Sequence, residues 1–246
     1  MILPVVCVGE HHHRPEHLTA EIAALRELRG LGYDTLFLER PCDLQPDLDA
    51  YLASSRSDAA YRRFTSASLD KTRGAGAPPL PRERREALLD QMIAADTNRA
   101  LRLRLERGAD EGFRVRFNDL PAAERKRIIQ EQRTVETLPQ RNAFMAERIA
   151  EAGGGAVAIC GASHLTETES PGSSLKIELG RLGLRSESFE LAIDGDRPEI
   201  HAGIPAARLK PVDHLVETGK EIAALLRAEF RRGGAAPAPS QEERVR

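Results

Sequence analysis

The sequence predicts an α/β protein: a central, mostly parallel sheet flanked by helices, with a helical insertion between the second and third strands at about residues 43–107. Three observations predict it. Short apolar runs at residues 3–8, 35–38 and 156–160 are bounded by Gly or a carboxylate, as strands buried on both faces are. An amphipathic helical segment separates the first two runs, making a strand, helix, strand unit whose crossover requires parallel neighbours. Polar, chemistry-bearing residues cluster where the runs end, the place where open parallel sheets bind ligands.

The first strand stops at Gly9. Leu18, Ile22, Leu25, Leu28 and Leu31 then recur at helical spacing until Gly30 and Gly32 end the helix. The second strand ends at Glu39. Residues 43–107 read as mainly helical, broken at 73–81, where Gly and Pro exclude regular structure and leave a surface loop or a lid. Residues 82–106 read as one long Arg-rich helix. Phe113, Val115 and Phe117 alternate with Arg114 and Arg116, as in a partly exposed strand ending at Asn118-Asp119. Helices are expected at 122–133 and 139–151, the second stopped by Gly153-Gly154-Gly155. A strand at 156–160, a helix at 175–182, a strand at 186–193 and a helix at 212–230 complete a single domain over 1–232. The Gly, Ala, Pro and charge-rich tail 233–246 is expected to be disordered. The segment Glu-Ile-Ala-Ala-Leu occurs at both 21 and 221, as two amphipathic helices would allow without an internal repeat.

Of the 246 residues, 36 are Lys or Arg and 38 are Asp or Glu, a net charge of −2. Such a balance gives no long-range pull on nucleic acid or an anionic membrane. Aromatics at 4%, with no Trp, supply few stacking platforms for single strands. The apolar start has no basic leader and ends too soon for a signal or a span, so a cytoplasmic protein is expected. Cys7, Cys42 and Cys160 form no paired motif and read as reduced thiols, Cys7 and Cys160 as small buried hydrophobes.

Two Gly-x-x-His turns, Gly9-Glu10-His11-His12 and Gly161-Ala162-Ser163-His164, each follow a buried-strand pattern directly. Gly would let the backbone turn sharply and point His12 and His164 across the sheet top. With Glu10, Glu39 and Asp119 nearby, the set suits a divalent metal or a His-activated water without one. Each piece also has a plainer role. The run His11-His12-His13 suits a solvated turn or an adventitious metal site, and Glu39-Arg40-Pro41 a strand exit with a surface ion pair. Asp119 suits a helix N-cap. His17, His201 and His214 lack partners in the pattern and read as structural.

Val8-Gly9-Glu10-His11-His12, Phe37-Leu38-Glu39, Asp119, Arg141-Asn142 with Met145, and Ile159-Cys160-Gly161-Ala162-Ser163-His164-Leu165 resemble, in this order, the motifs of one superfamily. It contains erythromycin esterases, ChaN-like haem-binding proteins, TraB proteins and the TIKI metalloproteases, and the likeness spans roughly residues 3–230. The resemblance implies a parallel α/β core with its site at the two turns. TIKI-like members imply a divalent metal (Zn, Mn or Co) on His12, His164 and Glu10 for peptide hydrolysis. The erythromycin-esterase branch implies lactone hydrolysis by His and Glu without metal, and the ChaN-like branch implies haem binding without catalysis. By position, His12 and His164 become ligands or bases and Glu10 and Glu39 ligand or base. Arg141 becomes a group that stabilises developing negative charge. The leader of secreted ChaN-like proteins and the spans of TraB have no counterpart here.

The expected function is therefore hydrolysis of an ester, lactone or amide bond in a small-molecule or peptide substrate. Haem or metal binding without catalysis is the alternative. A third reading is action through contacts, with the Arg-rich helix at 82–107 as the interface.

Overall fold

Six strands form one sheet in which every recorded pairing is parallel. They are β1 (Val5–Glu10), β2 (Thr35–Pro41), β3 (Arg114–Asp119), β4 (Ala156–Gly161), β5 (Ser186–Leu191) and β6 (His214–Val216), in the spatial order β3-β2-β4-β1-β5-β6. This computed structural model describes residues 3–10, 15–74, 76–131, 134–166, 172–191, 214–216 and 218–233. Of the tail expected at 233–246, Gly233 ends the last helix and the rest lies outside them, as does position 12. The α/β class and the helical insertion are as the sequence predicts.

Helix α1 (Pro15–Gly30) joins β1 to β2. Four helices, α2 (Gln45–Leu52), α3 (Asp58–Arg73), α4 (Arg82–Ala94) and α5 (Asp96–Asp110), form the insertion between β2 and β3. Helices α6 (Ala122–Glu131) and α7 (Leu138–Ala150) join β3 to β4, α8 (Leu175–Arg181) joins β4 to β5, and α9 (Gly219–Gly233) follows β6.

Strand side chains alternate between two faces, and the buried residues divide accordingly. Val6, Val8, Leu36, Leu38, Val157 and Ile159 pack with Leu25 and Leu28 of α1, Leu101 and Leu105 of α5, and Ile222 and Leu226 of α9. Val5, Cys7, Phe37, Ala158 and Cys160 pack with Met145 and Ile149 of α7 and Leu175 and Leu179 of α8. The two faces explain the near-continuous apolar runs of β1 and β4. Strand β3, whose sequence alternates, lies at an edge of the sheet. Gly108 brings α5 down onto β2, because a Cβ there would lie 2.7 Å from the Leu36 Cδ2.

Three local readings change. The long helix expected at 82–106 is broken at Ala95, whose extended backbone (φ −63°, ψ 135°) ends α4 and opens α5. The break lets α4 lie against α3 while α5 turns toward α1 and β3. The Asn98 side chain donates to the freed Met92 carbonyl at 2.7 Å. The helix expected from 212 starts only at Gly219, because His214–Val216 extend the sheet beside β5. Third, the buried stripe of α1 is His17, Glu21, Ala24, Leu25 and Leu28, with Leu18 and Ile22 at its margin.

Neither Gly9 nor Gly161 has a positive φ, so neither is needed for a sharp turn. Gly9 serves close packing instead: a Cβ would meet Leu165 Cδ1 at 2.9 Å and Ala162 Cα at 3.1 Å.

Candidate functional site

Parallel strands deliver their last residues to one rim of the sheet, and β1 and β4 are neighbours there. Glu10 at the end of β1 stands in register with Gly161 at the end of β4. The two Gly-x-x-His turns therefore leave adjacent strand tips. His164 sits in a short 3-10 turn, Ala162–His164, and is 1% exposed. His12 lies outside the described residues.

Two buried networks of charge stand on this rim. In the first, Arg141 of α7 grips Asp119 of β3 through two bonds, Nε to Oδ1 at 3.0 Å and Nη2 to Oδ2 at 2.7 Å. Its Nη2 also donates to Glu39 Oε1 at 2.5 Å, and the Gly161 N–H donates to Glu39 Oε2 at 2.8 Å. His164 places Nε2 at 3.4 Å from Glu39 Oε1 and Nδ1 at 2.6 Å from Asn142 Oδ1. Nε2 of His164 faces Glu39 and donates to it in the tautomer that carries its proton there. Burial works to raise the Glu39 pKa, but His164, Arg141 and the Gly161 N–H outweigh it and hold the carboxyl well below its ordinary value.

In the second network, Arg104 of α5 meets two carboxylates. Its Nε donates to Glu21 Oε2 at 2.5 Å and its Nη2 to Glu21 Oε1 at 3.1 Å. The same Nη2 also donates to Glu10. One guanidinium faces two buried acids. Burial pushes the Glu21 pKa up to about 8, with Arg104 opposing and the Glu10 charge adding to the rise.

Between the networks lies a cavity of about 210 Å³ lined by Glu10, Glu39, Arg40, Arg104 and Arg125 among its charged groups. Leu38, Ile159, Leu101 and Thr97 complete its described wall. Where the β2–β3 register shifts, between Leu38 and Pro41, Glu39 reaches Arg141 of α7 and Arg40 lines the cavity with Leu101 and Arg104 of α5. Arg125 of α6 lies with Nε 2.6 Å from Asp119 Oδ2, close in distance but out of line for a hydrogen bond.

The structure thus brings Glu10, Glu39, Asp119, Arg141 and His164 onto one rim. Asp119 does not cap α6: the Ala122 N–H at its start donates to Asp43 Oδ1 at 3.1 Å instead. Arg141 is 3% exposed, and its recorded bonds all go to Asp119 and Glu39. Arg104, Glu21, Arg40 and Arg125 are functional candidates that sequence reading missed. The signal for two of them was present: Arg104 falls on the stripe Leu101, Arg104, Leu105, Gly108, and Glu21 on the stripe of α1. A charged residue on a buried stripe needs a buried partner. Cys160 is buried, and burial, with Glu39 and Cys7 adding to it, raises its thiol well above the usual pKa, as an inert core residue requires.

Of the set expected to hold a divalent cation, Glu10 and His164 have protein partners, and His12 lies outside the described residues. Glu39 and Glu10 already hold guanidiniums, and His164 lies between Asn142 and Glu39. Among the described residues, no three His, Cys, Asp or Glu gather at ligand spacing. No described helix is long and apolar enough to cross a membrane.

No protein-family model matches the chain, and no curated protein matches it. Two solved structures are similar to it. The type III effector HopBA1 is 16% identical with a TM-score of 0.39, covering 79% of each chain. ChaN of Campylobacter jejuni, described with cofacial haem binding, is 11% identical with a TM-score of 0.43, covering 78% of this chain and 82% of its own.

Proposed function

We propose that the chain is a hydrolase of ester, lactone or amide bonds in a small-molecule or peptide substrate, working through the two carboxylates of the cavity. The observation that carries this reading is that Glu10 and Glu39, from the ends of two strands flanking β4, line one cavity, Glu39 held as an anion and Glu10 sharing Arg104 with Glu21. A water held between them would be oriented by Glu39, which stays anionic. Glu10, which shares Arg104 with Glu21, would accept its proton as the general base. The water oxygen bonds to the carbonyl carbon, the bond to the leaving oxygen or nitrogen breaks, and the proton on Glu10 passes to the leaving group.

His164, Asn142 and Arg141 are positioning residues in this scheme. They act on the reaction through Glu39.

The test is turnover of a panel of nitrophenyl esters, lactones and anilides by wild type, Glu10→Gln and Glu39→Gln. Each variant should lose about 10²–10⁴-fold in kcat with its circular dichroism unchanged. Turnover by Glu10→Gln equal to wild type would remove the proposal. Haem binding without catalysis is the competing outcome: a shifted Soret band on adding hemin, with no substrate of the panel turned over, would favour it.

A further inference from the structure

Of the guanidiniums that line the cavity, Arg104 and Arg125 face carboxylates within ion-pair distance and Arg40 does not. Three guanidiniums line it, those of Arg40, Arg104 and Arg125, against the carboxylates of Glu10 and Glu39. Arg104 is engaged with Glu10 and Glu21, its recorded bonds using Nε and Nη2. Glu39 is engaged with Arg141, the Gly161 N–H and His164. Arg125 shares Asp119 with Arg141, and only by an out-of-line contact. Arg40 has no recorded hydrogen bond or ion pair among the described residues, although it is half-buried; the Glu39 charge favours its cation without bonding it, and the Arg125 and Arg104 charges oppose it.

A half-buried guanidinium beside two others has lost much of its hydration and needs a compensating anion. Its fork of N–H donors matches the paired oxygens of a phosphate or carboxylate. We infer that the cavity binds a small oxyanion group, phosphate or carboxylate, with Arg40 as its principal partner, Arg125 and the Arg104 edge beside it, and the Thr97 hydroxyl at the rim.

This inference rests on the hydrolase reading for its consequence: the substrate class becomes an anionic ester, lactone or amide, whose charged group Arg40 anchors while Glu10 and Glu39 face the scissile carbonyl. The binding itself does not depend on that reading. The cavity volume of about 210 Å³ admits a phosphate or carboxylate group.

The experiment is calorimetric titration of inorganic phosphate and, in a separate arm, acetate into the full chain at constant ionic strength set by chloride. Wild type should show saturable binding in at least one arm, and the arm that binds identifies the group. Arg40→Gln should weaken it at least about tenfold, the loss expected for a charge-assisted bond. Arg40→Lys, which keeps the charge and loses the fork, should fall between the two. Arg62→Gln, at an exposed ion pair on α3, should bind as wild type does. Circular dichroism confirms that each variant is folded, and Arg40→Lys serves if Arg40→Gln is not.

Equal binding by wild type and Arg40→Gln, or no binding by wild type in either arm, overturns the inference. The two proposals fail separately. Saturable phosphate binding lost in Arg40→Gln, with no substrate of any charge turned over, leaves the anion site and removes the hydrolase. Turnover of neutral esters that phosphate and acetate do not inhibit, without binding in either arm, does the reverse.

Discussion

The Arg104 and Arg141 networks use the same chemistry to opposite ends. Each joins one guanidinium to two carboxylates at the sheet rim, Arg104 with Glu10 and Glu21 and Arg141 with Asp119 and Glu39. Around Arg141, the Gly161 N–H and His164 supply further donors, so Glu39 stays an anion below its ordinary pKa. Around Arg104 burial prevails, and the second carboxyl is raised to about 8. For Glu39 the favourable charges and donors outweigh burial, and for Glu21 they do not. In the proposed reaction the two walls would have different roles, Glu39 orienting the water and Glu10 accepting its proton.

The largest way to break this comparison is to remove a cation. Arg104→Met strands Glu10 and Glu21 and should cost about 3–5 kcal/mol in urea unfolding at pH 8. The cost should shrink toward acid, where the pair can take up protons. A loss within error at pH 8 would mean that the two acids find other compensation.

Proton linkage sharpens it next. Glu21 has a raised folded pKa, so its stabilising contribution is fully present below about pH 4.5 and is lost as pH rises toward about 8. Wild-type stability should therefore carry a falling component across that window, at most about 1.4 kcal/mol per pH unit. Glu21→Gln should flatten it. Glu39 has the opposite sign: its contribution is present above its unfolded value and lost as pH falls through the lower folded one. Glu39→Gln should remove part of the acid limb and leave the window up to pH 8 unchanged. Unfolding curves collected across pH check both.

A smaller effect concerns orientation. Asn142→Leu frees the His164 ring, whose Nδ1 meets Asn142 Oδ1. It should lower kcat about tenfold through Glu39 and move the acid limb of the rate profile to higher pH. A changed KM with kcat intact would place Asn142 in substrate binding instead. The smallest effect is the control: Arg62→Gln, at the exposed pairs with Glu86 and Asp90, should change stability by less than about 1 kcal/mol.

The Arg141 network was more legible in sequence than the Arg104 one, and for a physical reason. Glu39, Asp119 and His164 follow short apolar strands, so strand ends alone place them, and the runs of β1 and β4 mark the two central strands. Arg104 and Glu21 lie inside helices, where a charged residue usually faces solvent. Only the stripes Leu101, Arg104, Leu105 and Glu21, Ala24, Leu25, Leu28 show that these helical positions are buried. The sheet order was not legible either. That β4 slots between β1 and β2 depends on how the crossovers cover both faces, which local periodicity does not encode. The strand β6 reads as helix because its three residues adjoin the strongly amphipathic α9.

NMR titration of the protein labelled at glutamate Cδ tests the opposed walls most directly. The account predicts one carboxyl with a midpoint near about 8, belonging to the Glu10–Glu21 pair and lost in Glu21→Gln, and another, lost in Glu39→Gln, that remains anionic well below the ordinary glutamate range. Both carboxyls titrating together at the ordinary value would contradict it.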